Sequence, residues 1–365
     1  MAKAAEFIKN LSPEVKLLLL LLVPVAAVIL LHYFVTGFII YNDGIGYYMY
    51  GRSLVIDKDL KFTNEWAYYN TSYSKFSSVP RGINAPRTKT PKGYPENIYL
   101  IGNSLMWLPF LLTAHAAAMT LSFLGLPVNA DGYSWPYETA IGLATLIYGF
   151  FAMLLIYKFC RKWFDKSTSL LATIGVWYGT AAFWYNAAEP SMAHINSIFL
   201  GAAFALFWYN TLGKRTKLQW LLLGMLLGLI YLVRQQDILL GLLPGIELLR
   251  KALQNFRSFI EMKKAAAEGA AMAAGLLVSL FPQMLVWKKL YGSYLVYSHA
   301  AISKIEPLAR WTFPQIVPFI FSAESGMWRI PIMPLSIIGV FLFAKKVKGI
   351  VWYIFAVMAT ETIAT

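Results

Sequence analysis

Four groups of polar residues have side chains that could bind or transform a substrate. Asp43 follows the first long apolar run and offers a carboxylate that could act as a general base. Glu189 and His194 lie between two apolar runs, at a spacing that is weakly typical of a metal-ligand pair. The turn Arg234-Gln235-Gln236-Asp237 combines a cation suited to phosphate with amides suited to sugar hydroxyls. The fourth group is basic and lies in one polar stretch: Arg81, Arg87, Lys89 and Lys92.

Each group also has a purely structural interpretation. Asp43 could cap a helix that lies in the membrane interface. Glu189 could be an ordinary helix-start residue beside Pro190. Arg234 could extend its charge to the surface, while Asp237 begins the next helix. The basic stretch could serve solvation and lipid contact rather than an anionic substrate. At the level of the residues alone, both interpretations stay open.

The composition determines the class of protein. Of the 365 residues, 58% are hydrophobic and only 14% are charged. Several apolar runs reach the roughly 20 residues that cross a bilayer as a helix. We therefore expect an all-α polytopic membrane protein. The net charge of +14 is then expected to anchor the chain at the cytoplasmic face, and no nucleic-acid partner is expected. The single cysteine, Cys160, excludes a disulfide within the chain.

Charge and hydropathy together predict a single transmembrane domain over residues 1–365. The basic N-terminal segment is expected in the cytoplasm, so the first span, residues 15–40, delivers Asp43 to the outer face. Residues 41–136 form an outer loop with juxtamembrane helices, and residues 137–365 hold the remaining spans. This gives about eight or nine spanning helices. The last apolar segment stops at Thr365 without a polar flank, so we expect the chain to be truncated there.

Residues 98–125 are apolar enough to span, but the charges that follow argue against a crossing. If this stretch crossed fully, the basic end of the next span would lie outside, against the usual bias. We therefore expect a re-entrant or interfacial helix pair that belongs to the outer loop. The basic residues in question are Lys158, Arg161, Lys162 and Lys166.

The order of several motifs resembles a known superfamily. The stretch 42–54 contains Asn42-Asp43-Gly44, and Tyr94-Pro95-Glu96-Asn97 leads into residues 102–109. Residues 189–194 and 228–237 complete the series. In this order the motifs are similar to those of the membrane-integral C-type (GT-C) glycosyltransferases. The most similar branch is that of the protein O-mannosyltransferases and lipid A aminoarabinose transferases.

The resemblance implies a GT-C-like helical bundle and an inverting glycosyltransferase. Its donor would be a polyprenyl-phosphate-linked sugar, and its acceptor a glycan, lipid or protein at the extracytoplasmic face of a bacterial inner (plasma) membrane. Asp43 matches the general base, and Arg234 or the basic stretch could neutralise the departing phosphate, so no metal or other cofactor is implied. Gly44 stands where some members carry a second acid. The alternatives are a transporter or flippase of a lipid-linked sugar and a non-catalytic membrane scaffold.

Overall fold

The computed structural model describes residues 10–71, 89–296 and 332–347. Within these ranges the regular elements are helices and no β-strand is formed, which confirms the all-α prediction. The helices are α1 Pro13–Thr36, α2 Asp43–Arg52, α3 Thr63–Asn70, α4 Gly102–Phe123, α5 Trp135–Cys160, α6 Lys166–Gly179, α7 Ala182–Ala187, α8 His194–Thr211, α9 Lys217–Val233, α10 Leu242–Gln254, α11 Phe259–Tyr291 and α12 Ile332–Lys346.

Four helices in the described part of the chain are long and apolar enough to cross a membrane, as expected of a membrane protein: α1, α4, α5 and α11. Helix α9 is apolar but shorter. The predicted span over 169–185 is divided into α6 and α7 by an extended residue, Thr180. The described residues form two compact units, one of residues up to Ala202 with Leu290–Gly292, the other of Ala203–Lys289 with the residues after Gly292.

In the first unit, α1 and α5 pack side by side in opposite directions. At one end, Glu138 Oε2 accepts hydrogen bonds from the backbone N–H groups of Ile39 and Ile40, at 2.7 and 2.8 Å. At the other end, Lys166 forms an ion pair with Glu14 at 3.0 Å. The chain therefore leaves α1 and enters α5 at the same end of the pair. The basic residues that follow α5 lie at the opposite end, beside the start of α1.

Residues 102–123 form one continuous helix, α4, so the predicted helix pair is wrong. Two polar side chains of this helix have partners on other helices. Asn103 Oδ1 accepts a hydrogen bond from Asn196 Nδ2 at 2.8 Å, and His115 Nδ1 lies 2.7 Å from Tyr137 Oη. The helix also continues through Pro109.

Helix α4 lies beside only part of α5. Tyr148 O–H donates to the backbone oxygen of Met106, near the start of α4, at 2.6 Å. His115, further along α4, pairs with Tyr137 near the start of α5. Tyr148 lies about 16 Å along α5 from Tyr137, at 1.5 Å per residue. The N-terminus of α4 therefore begins partway along α5 and does not reach the end that carries the basic residues.

In the second unit, α9 and α11 pack with their backbones close together. A Cβ at Gly224 would overlap the backbone of Met272, and a Cβ at Gly275 would overlap that of Leu221. Small residues permit this approach between apolar helices. The predicted return span over 238–249 is not formed as one helix. A 3₁₀ helix, Gln235–Gly241, precedes α10, which has 13 residues and starts just before Pro244 because proline fits a first helical turn.

Candidate functional site

Asp43 lies at the N-terminus of α2, after the short link 37–42. Gly37 ends α1 in a left-handed conformation, with φ of 85°. Asn42 has φ of 50° and ψ of −136°, a strained backbone conformation. These two turns direct α2 away from α1. The half-buried Asp43 carboxylate therefore stands at a helix N-terminus, where the backbone dipoles favour negative charge.

Asp43 does not cap α2. The cap position belongs to Asn42, whose side chain makes no capping hydrogen bond, and Asp43 is the first helical residue. Its Oδ1 accepts a hydrogen bond from the Tyr99 hydroxyl at 2.7 Å. Its Oδ2 has no hydrogen-bond partner among the residues that the structure describes. One oxygen of the carboxylate is thus oriented by Tyr99.

The segment that carries Tyr99 is fixed to α2. Asn97 Nδ2 donates to the backbone oxygen of Gly46 at 2.8 Å, and Tyr50 O–H donates to that of Tyr99 at 2.9 Å. A Cβ at Gly46 would overlap the Tyr99 ring, so the ring lies directly on the helix backbone. Burial, and then the hydrogen bond to Asp43, raises the pKa of the Tyr99 hydroxyl. The phenol therefore keeps its proton and remains a donor.

A second segment packs against the start of α2 through Ser191. A Cβ at Gly44 would overlap the Ser191 side chain, so glycine is required there for steric reasons. Ser191 Oγ accepts the N–H of Tyr41 at 3.2 Å, and the Tyr41 hydroxyl donates to the backbone oxygen of Ala188. On the other side, Thr145 of α5 donates to the backbone oxygen of Pro190. The connection between α7 and α8 is therefore held beside Asp43.

Glu189 lies in this connection and supplies a second carboxylate to the region. It is half-buried, and its side chain makes no hydrogen bond or ion pair within the described ranges. Burial, and then the negative charge of Glu189, raises the pKa of the Tyr41 hydroxyl. Glu189 therefore lies near the link that delivers Asp43. Position 44 has no room for an acidic side chain, because Ser191 packs against it. The nearby acid is instead Glu189, which lies beside Tyr41.

At the other end of α2, a buried ion-pair cluster fixes the helix to residues 57–65 and 131–133. Arg52 is only 4% exposed. Its Nη1 donates to Glu65 at 2.8 Å and to Asp57 at 2.5 Å, and its Nε donates to the backbone oxygen of Asp131 at 2.9 Å. Its guanidinium carbon lies 4.1 Å from the centre of the Tyr133 ring. This cluster, which we call the Arg52 cluster, sets the direction of α2.

Sequence reasoning missed both Tyr99 and the Arg52 cluster as parts of the site. A signal for the cluster was present, because a charged residue on an otherwise buried helix needs a partner. Tyr99 gave no such signal, since an isolated tyrosine after a proline-rich loop has many structural uses.

The predicted basic group is only partly described. Arg81 and Arg87 lie outside the described residues. Lys89 and Lys92 are exposed, in the turn that precedes the Tyr99 segment. The Lys92 side chain lies beside Gly292. Their role toward an anionic ligand stays a prediction.

The remaining predicted residues lie at helix ends. The His194 ring, at the start of α8, stacks on Tyr185 with centroids 3.4 Å apart. The turn Arg234–Asp237 follows α9 in the second unit, and its four side chains are half-buried. The role of this turn toward a phosphate or a sugar stays a prediction.

Comparison of the chain with models of known protein families, with curated proteins and with solved structures finds no match.

Proposed function

We propose that the protein is an inverting glycosyltransferase that moves a sugar from a polyprenyl-phosphate-linked donor to an acceptor hydroxyl at the extracytoplasmic face of a membrane. The observation that carries the proposal is the placement of Asp43. Its carboxylate stands at a helix N-terminus, just beyond a helix long enough to cross a membrane, with one oxygen held by Tyr99. A group of this kind is suited to take a proton from a bound hydroxyl.

The proposed step transfers one sugar with inversion at the anomeric carbon. The acceptor oxygen attacks that carbon, and its proton moves to Asp43. The bond between the anomeric carbon and the phosphate oxygen breaks, and its electron pair leaves with the lipid phosphate. Glu189, the nearby carboxylate, binds sugar or acceptor hydroxyls. Cations neutralise the leaving phosphate, with the basic stretch as the candidate.

The packing of α1 and α5 supports an outer loop between them. The chain leaves α1 and enters α5 at one end of the pair, and the basic residues after α5 lie at the other. If those basic residues are cytoplasmic, Asp43 is extracytoplasmic. Helix α4 begins partway along α5, which fits a helix of the outer loop that enters the membrane without crossing it.

The substitution Asp43→Asn tests the proposal. It keeps the shape of the side chain and removes the base, so we expect loss of transfer by at least about a hundredfold. The purified protein is reconstituted with radiolabelled polyprenyl-phosphate sugars and membrane extract as the acceptor source, and release of polyprenyl phosphate is measured. Donor binding is expected to stay within about twofold.

The matched control is Asp59→Asn, which changes another acid of the same loop. Asp59 accepts hydrogen bonds from Ser53 and from the Lys61 N–H, away from Asp43. We expect this variant to retain transfer. Retained transfer in Asp43→Asn would sink the catalytic assignment. A third outcome would favour the transporter. In that case both the unmodified protein and Asp43→Asn move a labelled lipid-linked sugar across the vesicle membrane, and neither cleaves its sugar–phosphate bond.

A further inference from the structure

Helices α10 and α11 form an antiparallel hairpin in the second unit, joined by residues 255–258. Lys251 Nζ donates to both carboxylate oxygens of Glu268, at 2.6 Å each. Leu248 lies within van der Waals distance of a Cβ placed on Gly269. These contacts hold the two helices together a few residues back from the turn.

An apolar cleft opens between the helices near the turn. Its volume is about 300 Å³, at the lower end of the roughly 300–1,000 Å³ typical of ligand sites. Its lining is entirely apolar: Leu248, Leu249, Ala252, Met262, Ala265 and Ala266. A cleft of this composition suits a hydrocarbon chain and offers nothing to a free anion.

The rim of the cleft combines exposed apolar side chains with cations. Phe256, Phe259 and Ile260 are 66%, 71% and 77% exposed, which is costly in water and favourable at a membrane interface. The Arg257 guanidinium lies 5.3 Å from the Phe256 ring centre, and the Lys263 ammonium lies 4.4 Å from that of Phe259. Residues 249–266 contain five basic residues and one acid, Glu261.

Lys251 is paired with Glu268, so the charge available at the rim comes from Arg257, Lys263 and Lys264. All three residues are exposed. Cations beside exposed rings and an apolar cleft match the chemistry of an acidic phospholipid, with a phosphate next to acyl chains.

We propose that the α10–α11 turn is a binding site for an acidic phospholipid. One acyl chain occupies the cleft, and the headgroup phosphate is bound by Arg257, Lys263 and Lys264. The site is independent of the proposed transferase chemistry, because it uses none of the residues around Asp43.

Native mass spectrometry of the full chain in detergent, titrated with phosphatidylglycerol or phosphatidylcholine, tests the site. We expect the first phosphatidylglycerol molecule to bind at least about tenfold more tightly than phosphatidylcholine. The variant Arg257→Gln/Lys263→Gln/Lys264→Gln is expected to lose this preference. Equal affinity for the two lipids in the unmodified protein would overturn the proposal.

A control and two further arms separate a lipid site from a general charge effect. Lys158→Gln/Arg161→Gln/Lys162→Gln removes the same charge at the end of α5 and is expected to leave the affinity unchanged. Ala252→Trp fills the cleft while keeping every charge, and it is expected to weaken binding severalfold. Inorganic phosphate is expected not to displace the lipid. An equal loss in the control variant, or displacement by phosphate, contradicts the site.

Discussion

At the residue scale, the Asp43 carboxylate is oriented by a phenol that lies 56 positions later in the chain. Tyr99 is the one described residue that hydrogen-bonds this carboxylate, and its ring lies on the backbone of α2. A hydrogen bond to a charged group is worth about 1.5–3 kcal/mol. Tyr99 therefore fixes which way Asp43 faces.

Tyr99→Phe keeps the ring and removes this hydrogen bond. We expect transfer to fall about tenfold or more, because the carboxylate loses its orientation while the packing is kept. Polyprenyl phosphate release measures the effect. Tyr148→Phe, which removes a tyrosine hydrogen bond between α4 and α5, serves as the control and is expected to affect stability more than transfer. Equal rates in Tyr99→Phe and the unmodified protein would show that Tyr99 does not position Asp43.

Gly44→Ala places a methyl group where the Ser191 side chain lies. Such overpacking costs about 1–3 kcal/mol, so we expect a lower unfolding temperature and a lower rate of transfer. Adding Ser191→Gly should restore part of both, since it removes the overlapping side chain. Gly245→Ala is the control, because a Cβ there meets no atom within 4 Å. Absence of rescue in the double variant would mean that overlap with the Ser191 side chain is not the reason why position 44 requires glycine.

At the element scale, one buried acid of α5 accepts two backbone hydrogen bonds from the link between α1 and α2. Glu138 is 2% exposed and accepts two backbone hydrogen bonds through one oxygen. Glu14, at the opposite end of the same helix pair, makes an ion pair with an exposed lysine. We therefore expect Glu138 to contribute much more to the stability of the fold than Glu14 does.

Glu138→Ala is expected to destabilise the protein by about 2–4 kcal/mol, because two buried N–H groups lose their acceptor. Glu14→Ala is expected to cost much less, since an ion pair with an exposed lysine contributes little. Thermal unfolding of both variants in detergent measures the difference. Similar losses in the two variants would contradict the role of Glu138.

The Arg52 cluster predicts a pH dependence of stability. Burial raises the pKa of Glu65 from 4.5 to about 7, against the opposing charge of Arg52, with Asp57 and Tyr133 also nearby. Between pH 4.5 and about 7, the folded state therefore binds a proton on Glu65 that the unfolded state does not. The stability that this proton contributes is fully present below the unfolded pKa and is lost as the pH rises through about 7.

We expect the unmodified protein to lose stability relative to Glu65→Gln between about pH 5 and pH 8. The amide of the variant does not titrate, so the difference between the two unfolding temperatures isolates Glu65. A shift of a few degrees is expected. If the unfolding temperatures of the two proteins change in parallel with pH, Glu65 does not take up this proton.

The elements were partly predictable from the sequence. Hydropathy placed α9 and α8 closely, because each is one uninterrupted apolar run bounded by polar residues. It missed the break at Thr180, where an apolar run continues across the extended residue. After Arg234 it predicted a turn and missed that the 3₁₀ helix continues into the apolar residues up to Gly241. Asp43 was identifiable as an acid at a helix exit. Tyr99, Ser191 and Glu65 were not, because their contacts join distant parts of the chain.

At the scale of the whole molecule, the direction of α4 determines the topology. Its length and hydropathy suit a crossing, whereas its contacts begin partway along α5. The basic residues after α5 lie beside the start of α1, as the charge argument required. Composition alone does not decide whether α4 crosses the membrane, because an apolar helix buried in protein has the same composition as one that crosses.

Cysteine labelling of intact cells decides the direction of α4. In a Cys160→Ser background, Asn64→Cys and Leu126→Cys mark the residues before and after α4, and Ser167→Cys marks the far end of α5. We expect a membrane-impermeant maleimide to label the first two from outside and Ser167→Cys only after permeabilisation. Labelling of Leu126→Cys from the inside would make α4 a full crossing.

The Glu138 and Ser191 contacts also set the order of events during synthesis. The link that carries Asp43 is bound by a residue 99 positions later and by another 150 positions later. At about 5–20 residues per second, the second partner leaves the ribosome about 8–30 s after the acid it supports. Until then the link before Asp43 lacks its Ser191 contact, which can form only after the seventh helix has been made.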